Sequence, residues 1–93
     1  MLFVVSFDLH NATPEAYDSA YEILASVGLH PITPSRQVGL PDTTVMGELR
    51  NDIAADYVRD HLKEAFTKAG LRVKSIFGGS LIDWAAWGTV TTS

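Results

Sequence analysis

The period of apolar and polar positions changes several times along the chain, and each change marks an element. From Phe3 to His10 the residues are apolar, β-branched and aromatic, with the period of two that predicts a strand. Phe3, Val5, Phe7 and Leu9 share one wholly apolar face. Leu2, Val4, Ser6, Asp8 and His10 share the other, which starts apolar and turns polar. This is a central strand with a carboxylate near its end.

The period then lengthens. Thr13 can cap a helix and Pro14 suits its first position. Tyr17, Ala20, Tyr21, Leu24 and Val27 recur at helical spacing, and Gly28 is the expected stop. Residues 29–38 read as a weaker strand, with Pro31 and Pro34 restricting it to a sheet edge or extended coil. Residues 39–42 turn the chain. Residues 43–50 form a third strand, with Val45 and Leu49 on one face and Met46, Glu48 and Arg50 on the other. Gly47 there marks a bulge or a close backbone approach. Asn51 and Asp52 are the expected caps of a second helix reaching about residue 69. Its inner stripe is Ala54, Tyr57, Val58, His61 or Leu62, Ala65, Phe66 and Ala69, and its charged residues form a solvated outer face. After Gly70, residues 71–77 read as a fourth strand, with Arg72, Lys74 and Ile76 on one face. Residues 78–80 read as a turn and 81–90 as a short fifth strand.

The order is β-α-β-β-α-β. It predicts a single α+β domain over residues 1–93, a ferredoxin-like sandwich with a short extra C-terminal strand. Both helices should cover the face of the first strand that carries Phe3 to Leu9. The opposite face would then expose Leu2, Val4, Met46 and Ile76, an apolar patch for which a symmetric homodimer is the simplest partner.

Composition narrows the functions. The 93 residues are 46% hydrophobic and 19% charged, ordinary for a globular domain. A net charge of −4 works against generic nucleic-acid binding, so any such contact needs a local basic cluster. Without cysteine, disulfides, thiolate zinc sites and cysteine nucleophiles are excluded. No apolar run approaches the roughly 20 residues of a membrane span, and the N-terminus has no basic region leading into a cleavage site. The expectation is a cytoplasmic protein without membrane contact.

A strand ending Ser6, Phe7, Asp8, Leu9, then a helix with Tyr17, Leu24 and Gly28, resembles the small CRISPR-associated adaptation endonucleases. It is more similar still to their SinR-like relatives, and more distantly to the VapD ribonuclease toxins. The tail with Asp83, Trp84, Trp87 and Gly88 adds to the SinR-like resemblance. The resemblance implies a ferredoxin-like homodimer whose C-terminal strand pairs with the partner's sheet. It also implies that Asp8 lies beside its twofold mate as a metal ligand for Mg2+ or Mn2+, in an endonuclease acting on RNA or DNA. No counterpart of a second catalytic residue is evident.

Around Asp8, strand geometry should gather Thr43, Thr44, Arg36, Arg72 and Lys74. The basic groups could hold phosphate while a metal activates water. His10 shares the face of Asp8, and its imidazole could serve as a proton shuttle. Each residue also has a plainer reading. Asp8 can be a turn aspartate, His10 a solvated loop residue, and Arg36 and Arg72 surface or dimer salt-bridge residues. Trp84 and Trp87 can stack bases or, with Val4, Met46 and Ile76, anchor a dimer interface. Residues 78–80 lack the lysine and helix of a phosphate loop, and Ser6 lacks the glycines of a nucleophile elbow. Two functions stand: a metal-dependent endonuclease using Asp8, or a non-catalytic dimeric binding or assembly module.

Overall fold

A computed structural model describes residues 1–35 and 38–89. The elements in order are β1 (Leu2–Leu9), α1 (Pro14–Ser26), β2 (Thr44–Glu48), α2 (Ala55–Lys68) and β3 (Val73–Leu81). The fold is α+β. Its sheet has three antiparallel strands in the order β2-β1-β3, so β1 is central.

β1 alternates strictly. Phe3, Val5, Phe7 and Leu9 are buried, and the residues between them are half-buried. The buried row meets Ala20 and Leu24 of α1 and Val58, Leu62 and Phe66 of α2, so both helices lie on one face of the sheet. The Phe7 ring packs edge-on to Tyr21 at 5.6 Å and tilted against Phe66 at 5.7 Å. Each large apolar side chain buried in this way contributes about 1.5–3 kcal/mol. Leu62, rather than His61, takes the inner position of α2, and Tyr57 turns outward, 65% exposed.

The helix ends follow local chemistry. The Thr13 hydroxyl accepts from the Ala16 N–H at 3.2 Å, and Pro14 occupies the first turn of α1. Gly28, just past α1, has φ +88°, the left-handed conformation that glycine adopts without a Cβ penalty. Neither Asn51 nor Asp52 caps α2. The cap position is Ala54, without a side-chain bond. Asp52 is instead engaged by Arg50, at 3.0 and 2.8 Å, and that guanidinium holds its carboxyl below the ordinary range.

Four expectations change in the strands. Among the described residues, the edge strand expected over 29–38 is reduced to isolated bridges, in the first of which His30 and Met46 exchange backbone bonds of 3.0 and 2.9 Å. The second joins Ile32 to Gly39. Pro31 and Pro34, which have no N–H to donate, limit any longer ladder. The turn expected at 78–80 is strand: β3 runs through Gly78 and Gly79 to Leu81, because β1 offers a ladder along its whole length. A Cβ at Gly78 would lie 3.1 Å from the Phe3 ring, so the glycine lets β3 lie against that side chain. Among the described residues after Leu81 there is no fifth strand, and Val90 lies outside them.

The fourth change is one of parity. Asp8 pairs with Ser75 but Leu9 pairs with Val73, so Lys74 is an extra residue in a bulge. One inserted residue exchanges the two faces for everything beyond it. Ile76 therefore turns to the helix side and packs on the core, while Phe77 takes the opposite face.

Gly47 proves to be a close approach and not a bulge. It pairs in register with Phe3, and a side chain there would overlap the Gly28 carbonyl. The end of α1 thus sits directly on the β2 backbone. A second close approach ties down the tail, where Gly88 lies against the Gly39 carbonyl. The chain leaving β3 therefore reaches Gly39, which is bridged to Ile32 just beyond the His30–Met46 bridge on the β2 edge of the sheet.

Candidate functional site

Asp8 sits one residue before the end of β1, on the face away from the helices, paired with Ser75 at the bulge. Its Oδ1 accepts two hydrogen bonds, from the Leu9 N–H and from the Tyr17 hydroxyl, both at 2.9 Å. Oδ2 has no hydrogen-bond partner among the described residues. Tyr17 reaches the strand end because the Thr13 cap starts α1 immediately after the loop that leaves β1. Its bond to Asp8, and then desolvation, raise the Tyr17 hydroxyl above the ordinary phenol value. The bond holds the proton on the donor oxygen.

Two further contacts continue this polar end. The backbone N–H of Thr43 donates to the Tyr21 hydroxyl at 3.0 Å, while the Thr43 carbonyl accepts from the Phe7 N–H, also at 3.0 Å. Thr43 has φ +58°, a left-handed conformation uncommon for a β-branched residue. The hydroxyls of Ser6 and Thr44 meet at 3.0 Å across β1 and β2. Tyr17, Tyr21 and Thr43 thus stitch α1 to the strand ends. The periodicity placed both tyrosines on the buried stripe without assigning their hydroxyls. The available signal was that a tyrosine near a core seeks a partner for its O–H.

The structure brings some of the expected residues together and separates others. His10 lies just past β1, and its backbone N–H donates to the Arg72 carbonyl at 2.8 Å. His10, Arg72 and Lys74 are therefore at the same end of the sheet as Asp8, and all three are exposed. No side-chain hydrogen bond or ion pair among the described residues links any of them to Asp8. Arg36 lies outside the described residues.

The interface candidates divide as well. Val4 is half-buried and pairs with Met46 on one side and Gly79 on the other. Met46 is only 3% exposed, so the chain's own fold already covers it. Ile76 faces the helices, as the bulge dictates. Trp84 and Trp87 remain exposed, Trp87 at 91%.

No group of three or more His, Asp or Glu that could hold an ion occurs among the described residues. Asp8 supplies a single carboxylate, half engaged by Tyr17 and Leu9. Among the described residues no helix is long and apolar enough to cross a membrane.

No protein-family model, curated protein or solved structure matches the chain.

Proposed function

We propose that the chain is a ferredoxin-like, non-catalytic module that associates with a second copy of itself through the stretch from Phe77 to Trp87. One observation carries this reading. Among the described residues, four of the five exposed large hydrophobic side chains (Phe77, Ile82, Trp84 and Trp87) fall in that stretch. Aromatic residues concentrated on one surface are the usual anchors of protein interfaces. The ferredoxin-like assignment rests on element order, the central antiparallel β1 and the His30–Met46 bridge, which stands where that topology has its edge strand. Asp8 then has a structural role, holding Tyr17 and the start of α1.

The test is the solution mass. Light scattering at micromolar concentration is expected to give a dimer for the wild type and a monomer for the Phe77→Ser/Trp87→Ser double variant. A monomeric wild type would overturn the reading.

A second reading has one observation in its favour. Oδ2 of Asp8 has no hydrogen-bond partner among the described residues, and Asp8 stands on the β1 row that faces away from the helices, where a second copy could bring its own Asp8. Two such carboxylates could share a divalent metal, as in a metal-dependent endonuclease on RNA or DNA. Cleavage of single- and double-stranded RNA and DNA with Mg2+ or Mn2+, abolished by Asp8→Ala in a chain that still folds, would establish it. No cleavage by the wild type would remove it.

A further inference from the structure

Among the described residues, no strand lies beside the outer edge of β3. β3 is nine residues long and lies at the outside of the sheet. The Phe7 N–H bonds towards β2, so the odd residues of β1 pair with β2 and the even residues pair with β3. The His10 N–H, bonded to the Arg72 carbonyl, follows the same rule. Ser75, Phe77, Gly79 and Leu81 are the β3 partners of those even residues and bond inward. The N–H and C=O groups of Ile76, Gly78 and Ser80 therefore point out of the sheet. Natural edges are blunted by proline, charge, bulges or shortness. Beyond the bulge at Lys74, β3 has no proline and no charged residue.

We propose, building on the self-association reading, that two copies of the chain pair antiparallel along β3, about a twofold axis at Gly78, to form one continuous six-stranded sheet. The register is argued from complementarity. Centring on Gly78 places Ile76 opposite the partner's Ser80, and both present outward hydrogen-bonding groups. It places Phe77, 73% exposed, opposite the partner's Gly79, where an added Cβ would meet nothing within 4 Å. The ring thus gains a surface to cover and a gap to fill, as aromatic residues do opposite glycine in a sheet. The same register carries the basic end of β3, Arg72 and Lys74, to the partner's Asp83. A shift of two residues would lose the match of Phe77 to glycine.

Two measurements test the edge separately from self-association. Ser80 is exposed and its N–H points outward, so Ser80→Pro removes an intermolecular donor and leaves the ladder to β1 intact. Sedimentation is expected to show a dimer for the wild type and a monomer for Ser80→Pro with an unchanged circular dichroism spectrum. The second measurement holds even if that variant misfolds. The chain has no cysteine, so Ser75→Cys and Leu81→Cys can be prepared as single-thiol proteins. In the proposed register these positions face each other as a non-hydrogen-bonded pair at about 4.5 Å between Cα atoms, within disulfide reach. Oxidising the mixture is expected to yield a covalent heterodimer, and oxidising either protein alone should not. A wild-type dimer that forms no cross-link in the mixture would overturn the edge pairing and leave self-association through the tail standing. A wild-type monomer would overturn both.

Discussion

The two faces of the sheet are made from the same three strands and have little else in common. On the helix side, Phe3, Val5, Phe7, Leu9, Val45 and Ile76 meet α1 and α2 in a continuous apolar layer. On the other side the rows mix types: Val4 with Met46, Ser6 with Thr44, Asp8 with Ser75, then an exposed Phe77 beside Gly79. The first face has its complement within the chain, and its geometry is set by backbone contacts as tight as Gly47 on Gly28. The second carries one hydroxyl pair, Ser6 with Thr44, and an exposed Phe77 that the fold does not cover. A domain of this size cannot close both faces of a sheet with two helices, and on the second face Phe77 stays 73% exposed.

The contrast can be broken most severely from the core side. Phe66→Ala removes a ring packed against Phe7 and should cost about 3–5 kcal/mol in denaturant unfolding. Loss of less than about 1 kcal/mol would mean that the helix-side layer is not the stabilising one. Gly47→Ala comes next. The added methyl must displace the Gly28 carbonyl, and about 1–3 kcal/mol is expected. A neutral result would show that α1 does not rest on β2 as described.

The second face should respond more weakly. Tyr17→Phe deletes the bond to Asp8 and should lower the melting midpoint by a few degrees. The pH dependence has a definite sign. The Tyr17 hydroxyl is raised above the phenol value of 10.0, so the folded state holds this proton more tightly than the unfolded chain. The stabilisation is complete below that value and is lost as the pH rises through the raised one. Spectrophotometric titration should show the wild type losing one late-titrating phenol in Tyr17→Phe. The smallest effect is expected for Phe77→Ser. In a chain diluted to monomer it should change unfolding by no more than about 0.5 kcal/mol, because the side chain is already in water. A large loss there would mean that Phe77 belongs to the protomer's own packing.

How far the sequence could be read depended on whether a feature was local. The strict alternation of β1, the stripe of α1, the Thr13–Pro14 start and the glycine stops at Gly28 and Gly70 were all legible, because each depends on neighbouring residues. Asp8 was legible as a carboxylate at a strand end. Its engagement by Tyr17 was not, since that needed the angle at which α1 leaves the loop. The glycine pair at 78–79 reads locally as a turn, and only the length of the ladder on β1 makes it strand. Asp52 reads as a cap, but it is taken by Arg50.

By itself, the sequence determined an α+β chain with β1 as its most apolar strand, two helices on one side of it, and an acidic residue at its tip. Those follow from side-chain periodicity and propensity, which act over a few residues. The tertiary structure decided which face each β3 residue occupies, because a single bulge at Lys74 reverses the parity beyond it. It also decided that Met46 is covered and Phe77 is not, and that the backbone edge of Ile76, Gly78 and Ser80 is left facing outward. Those depend on register between strands distant in the chain, which no local pattern specifies.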